Sequence, residues 1–175
     1  MATATNLKPN MVTGLFRNRD DAERAYNALA SRGYQRDDVN LMMSDEARKR
    51  HFANADSDLG DKALEGAGVG SAIGGTVGAV VAAIAAIGTS LVLPGLGLVV
   101  AGPIAAALAG AGAGGLTGGL VGALVGAGIP EDRAHLYESG IKEGGIVMGV
   151  HPRTPEDATY VEQEWRNARG EQVFR

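Results

Sequence analysis

The sequence predicts an α+β protein: a split βαβ, ferredoxin-like domain interrupted by a long glycine-zipper α-helical hairpin. Three observations lead there. Residues 66–130 carry no charged residue and no histidine, and they hold 19 of the 27 glycines, so the 175-residue chain joins two different materials. Inside that run small residues recur at every fourth position. The first series is Gly66, Gly70, Gly74, Gly78, Ala82 and Ala86, the second Ala106, Gly110, Gly114, Gly118, Gly122 and Gly126. A period of four lays them along one slowly drifting stripe of an α-helix. Finally, the segments on either side each read as β-α-β. The predicted division is 1–65, the first half of the α/β domain plus a connecting helix; 66–130, the apolar hairpin; and 131–175, the second half of the domain.

Residues 11–16 (Met-Val-Thr-Gly-Leu-Phe) form a short β-prone run. Asn18 then opens a helix with Asp20 and Asp21 in its first turn, where the helix dipole favours acids. Ala22, Ala25, Tyr26, Leu29 and Ala30 follow the spacing of one buried helix face, and Gly33 is the expected stop. Residues 39–43 supply a second strand. Residues 44–64 are polar and Ala-rich, with Arg48-Lys49-Arg50 near the start, and read as a surface helix leading to the apolar run.

Between the two small-residue series lies Leu93-Pro94-Gly95-Leu96-Gly97, the strongest turn signal of the region, which assigns the hairpin turn to Pro94, Gly95 and Gly97. After it, Ile129-Pro130-Glu131-Asp132 starts a helix with proline in the first turn and acids behind it. Ala134, Tyr137, Glu138 and Ile141 carry that helix to Gly144-Gly145. A strand over 146–150 follows. Thr154 caps a last helix with Pro155 at its first position, and Ala158, Val161, Trp165 and Ala168 trace its buried stripe. Gly170 is the expected stop, and 173–174 a short final strand. The halves look like weak copies of one unit: Gly14 matches Gly149, Asp21-Ala22 matches Asp157-Ala158, and Gly33 matches Gly170. Two such units close into a four-stranded antiparallel sheet backed by two helices.

With Val12-Thr13-Gly14-Leu15-Phe16 through Gly33-Tyr34, the glycine-rich centre, Ile129-Pro130-Glu131-Asp132, Tyr137-Glu138 and Ile141-Lys142-Glu143-Gly144-Gly145 in place, the chain resembles the heat-induced general stress protein family of bacteria. The resemblance covers nearly the whole chain. Its motifs make a fold rather than a catalytic site. It implies a stress-associated, membrane-linked protein and transfers no active-site residue.

Each arm of the hairpin, 66–93 and 97–128, exceeds the ~20 apolar residues that span a bilayer core of ~30 Å. Small residues every fourth position allow the close backbone approach by which helices associate in lipid. Val69, Ile73, Val77, Val80, Ile84 and Leu91, then Leu108, Leu116, Leu120, Leu124 and Val125, form the opposite, outward faces. Lys62 and Arg133 flank the hairpin on one side, which favours both termini in the cytoplasm. Against this, all eight aromatic residues lie outside 66–130, so the interfacial belt is missing. The alternative is a cytoplasmic, soluble assembly in which many copies bury one another's seams. The expectation is the bacterial inner membrane, with lipid and a second copy of the chain as partners; so much apolar surface requires one or the other.

The chemistry of the remaining residues is sparse. A net charge of -4 argues against nucleic acid, whose binding rests on clustered Lys and Arg. The absence of cysteine removes disulfides and thiolate chemistry. Residues 1–10 have one lysine and no apolar core, so no secretion signal is read there. Gly110-Ala111-Gly112-Ala113-Gly114-Gly115 has G-x-G-x-x-G spacing but neither the preceding strand nor the later acid of a dinucleotide site. Glu131 and His135 are an i, i+4 pair that reads better as a solvated helix face than as a metal site. His51 and His151 show no partner in the sequence. No nucleophile or phosphate-loop motif is present. The expectation is therefore a non-enzymatic, self-associating protein with no cofactor, metal or small-molecule substrate.

Overall fold

The computed structural model describes residues 10–52, 91–93, 97–105 and 119–175. Strand β1 (Val12–Phe16) leads into helix α1 (Arg19–Ser31), where the Asn18 side chain accepts the Asp21 N–H at 2.9 Å. Gly33, at φ 78°, ends the helix: its N–H donates to the Ala30 carbonyl and the Tyr34 N–H to that of Leu29, which satisfies carbonyls of the last turn. Next come a 3₁₀ turn (Arg36–Asp38), β2 (Val39–Ser44) and α2 (Asp45–Phe52). Within the apolar run lie β3 (Leu91–Leu93), β4 (Leu98–Ala101) and α3 (Gly119–Gly126), and α4 (Glu131–Lys142) follows it. Strand β5 (Ile146–Val150), α5 (Pro155–Asn167) and β6 (Glu171–Phe174) complete the chain.

The protein is mixed α/β, built on one six-stranded antiparallel sheet in the order β3-β4-β2-β5-β1-β6. Strand β5 is inserted between β1 and β2, pairing Val12 with Val150 on one side and Val39 with Val150 on the other. Strand β6 carries a bulge against β1, with Gln172 at φ 49°, which bends and blunts that sheet edge.

The sheet is covered on both faces, which explains why β1, β4 and β5 are buried along their whole length and β2 at all but its last residue. Alternate residues serve alternate layers. Val12, Phe16, Leu41, Met43, Val99, Ile146, Met148 and Val150 join Ala22, Leu29, Val161 and Trp165 beneath α1 and α5. Leu15, Met42, Leu98, Val100 and Val147 face Leu120, Ala123, Leu124, Ile129, Tyr137 and Ile141 of the α3–α4 layer. Trp165, expected in the core, is fully buried, edge-on to Phe16 at 5.7 Å, and donates its indole N–H to the Ala25 carbonyl.

Three expectations are corrected. The continuous helical arms 66–93 and 97–128 do not exist as such, because 91–93 and 98–101 are paired strands, Leu93 opposite Leu98. The chain does reverse there, but between strands; Gly97 lies at φ 58°, while Pro94 and Gly95 fall outside the described residues. The second arm is also broken twice, by Gly102 at φ 94° and Gly119 at φ 66°, conformations that a helix interior excludes. Lastly, Leu120 and Leu124, assigned to an outward face, are 8% and 0% exposed inside the domain's own core. With α3 only eight residues long, no helix among the described residues is long and apolar enough to cross a membrane. The inner-membrane, transmembrane reading is therefore withdrawn.

The second unit ends differently from the first. At the close of α5 it is Arg169, at φ 61°, that turns left-handed, rather than the expected Gly170. Gly170 is needed for space instead: a Cβ there would meet the Trp165 carbonyl at 2.6 Å and the Phe16 ring at 3.0 Å.

Candidate functional site

Of the predicted seam, Gly66, Gly70, Gly74, Gly78, Ala82, Ala86, Ala106, Gly110, Gly114 and Gly118 lie outside the described residues. Gly122 and Gly126 sit on α3, half-buried and exposed respectively, while the face that α3 buries is Leu120, Ala123 and Leu124. Among the described residues the large exposed apolar side chains are Val125 on α3 and Leu136 on α4, two helices packed against one another.

The joint between sheet and glycine-rich run is built around Asn40, a fully buried polar side chain that the sequence reading passed over. Its Oδ1 accepts the Ile104 N–H at 2.8 Å and its Nδ2 donates to the Gly149 carbonyl at 3.3 Å. Ile104 lies in the helical turn 103–105, so the side chain of a central strand caps the turn that leaves the sheet. Gly102 makes this approach feasible. A Cβ there would overlap the Val39 carbonyl oxygen and lie 3.0 Å from the Asn40 Cα.

A cleft of about 420 Å³ opens at the end of the sheet where β1 begins and β5 and β6 finish. It is lined by Asn10, Met11 and Thr13, by the α3–α4 connection through Pro130, and by Arg133, His151 and Arg175. Arg133 is half-buried, stands over the Phe174 ring at 4.8 Å and makes no ion pair among the described residues. Arg175 is engaged by Glu162 at 2.6 Å, which holds that carboxyl below its usual range. Beneath the cleft the Tyr137 hydroxyl lies 2.7 Å from Thr13 Oγ1 and 2.8 Å from the Gln172 carbonyl. With one proton it donates to the carbonyl while accepting from threonine. Burial pushes this phenol up to about 12.

The other polar clusters hold the fold. At the same end of the sheet, on the side of α1 and α5, Tyr34 donates to Asp157 at 3.0 Å and accepts the Arg153 N–H at 3.0 Å, while the Arg153 guanidinium covers its ring at 4.2 Å. Arg48 and Lys49 are turned to Asp45, and His51 reaches the Gly144 carbonyl at 3.2 Å. Glu131 and His135 are both exposed, and no group of three or more potential metal ligands converges among the described residues. Comparison with protein-family models, with curated proteins and with solved structures returns no match.

Proposed function

We propose that this chain is a non-enzymatic, soluble self-assembling scaffold, in which a split βαβ domain presents a glycine-rich apolar segment that associates with other copies of itself. The observation carrying this reading is how the uncharged run is divided. Leu98, Val100, Ile104, Leu120, Leu124 and Ile129 are consumed by the domain's own core. What is left, at 66–90 and 106–118, still contains Val69, Ile73, Val77, Val80, Ile84, Leu108 and Leu116 with no charged residue among them. Such a length of apolar sequence calls for a partner surface. The small-residue period suits close helix contact, and Val125 and Leu136 add exposed apolar area on α3 and α4.

The split βαβ assignment is supported by the order β2-β5-β1-β6 with α1 and α5 on one face. On this reading β3, β4, α3 and α4 are additions that widen the sheet and cover its second face. A role in bacterial stress rests on the sequence resemblance alone. The test is to purify the full chain without detergent and determine its mass by size exclusion with light scattering. A homo-oligomer is expected, reduced in size by Gly78→Leu or Gly118→Leu. A monomeric native chain, or oligomers unchanged in both variants, would sink the proposal.

A further inference from the structure

The cleft at the β1, β5 and β6 ends has a composition that self-assembly does not use. Its lining includes two guanidinium-bearing residues and an imidazole, and no aspartate or glutamate. Ten ion pairs elsewhere on the described surface show how readily this chain supplies an acid to its arginines and lysines. Arg133 is an exception: half-buried, it has an aromatic ring beneath it and no carboxylate beside it. His151 lines the same cleft, exposed and without a hydrogen bond or ion pair among the described residues. Asn10 and Thr13 complete the wall. The nearest acids along the chain, Glu131 and Asp132, are exposed and do not line it.

We propose that this cleft binds a small oxyanion, a phosphate or carboxylate group, with Arg133 and His151 as its principal contacts. A guanidinium presents paired N–H donors that match two oxygens of such a group, and partial burial strengthens a charge-assisted bond relative to bulk water. Arg175 is held by Glu162, and the site is assigned without it. A cleft of this volume takes a small metabolite or the charged end of a larger one.

The test uses the full chain and isothermal titration calorimetry with inorganic phosphate and, separately, acetate, in buffers of matched ionic strength. Saturable binding of at least one probe is expected. Phosphate alone would identify a phosphate site, acetate alone a carboxylate site, and both a general oxyanion site. Arg133→Gln and His151→Asn should each weaken binding about tenfold or more, the loss of one charge-assisted contact. Lys142→Gln, which removes the same charge elsewhere on α4, should stay within about twofold of the native chain. His151 makes no contact that folding requires, so its variant remains informative if Arg133→Gln does not fold. No saturable binding of either probe would overturn the proposal. So would equal weakening by Lys142→Gln and the cleft variants, since that reports only net charge.

Discussion

Replacing Asn40 by alanine tests whether the joint between the sheet and the glycine-rich run is held by one side chain. Asn40 is fully buried, and its amide answers two backbone groups at once. Removing it leaves the Ile104 N–H without its acceptor, a loss of ~1–3 kcal/mol for a buried donor, and opens a small void besides. Together these give about 2–3 kcal/mol, which for a chain of this size lowers Tm by about 5–10 °C. Hydrogen exchange by mass spectrometry supplies the local readout. Peptides covering 97–105 should lose protection first, while β1 and β5 follow the global change. Asn40→Asp refines the experiment. The unpaired buried carboxylate has its folded pKa raised, so its stability is present below the unfolded value near 4 and is lost as pH rises, leaving the variant relatively better folded in acid. The reasoning fails if Asn40→Ala stays within about 0.5 kcal/mol of the native chain, or if 97–105 exchanges no faster than β5.

Three further outcomes follow from local geometry. At Gly140, in the last turn of α4, a Cβ would meet the buried Leu15 side chain, with Cδ1 at 2.8 Å, so Gly140→Ala should cost about 1–3 kcal/mol despite its gain in helix propensity, and Leu15→Ala in the same chain should recover part of the clash in a double-mutant cycle by urea denaturation. Arg169→Gly should raise stability by about 0.5–1 kcal/mol in the same assay, because it relieves a left-handed backbone at an exposed position. Tyr137, whose folded pKa is about 12 against about 10 unfolded, contributes stability that is whole below pH 10 and is lost as pH climbs from there toward 12, by about 2–3 kcal/mol at most; Tyr137→Phe should flatten this alkaline limb while lowering neutral stability by about 1 kcal/mol through the lost hydrogen bonds, read from melts across pH.

Much of the regular structure was legible because its signals are local. Asn18, Gly33 and Thr154 do their capping work within one helix turn, and the buried stripe through Val161 and Trp165 obeys helical period. The second layer of helices was foreshadowed by strands such as Ile146-Val147-Met148-Gly149-Val150, apolar on both faces, yet it was not read as such. What misled the reading at 91–101 was a conflict of periods. Leu98-Val99-Val100-Ala101 is β-branched and short, but it stands in a segment whose glycines repeat at helical spacing, and tertiary pairing with β2 decided the outcome. The cleft was hidden for another reason. Arg133 and His151 belong to different elements and line one cleft only because β5 ends near the start of α4, a non-local fact that no spacing encodes.

The central position of β5 also sets an order of events during synthesis. Strand β1 pairs only with β5 and β6, while β2 has β4 to pair with earlier, so β1 stays apart from the β2-β4-β3 part of the sheet until the last quarter of the chain has been made. The whole apolar run is synthesised before that closure. Long-range pairing of this kind is slow and leaves hydrophobic sequence uncovered in the meantime. On the proposed self-assembly, nascent chains on neighbouring ribosomes would meet with their glycine-rich segments made and their domains still open, so that copies would associate before each finishes folding.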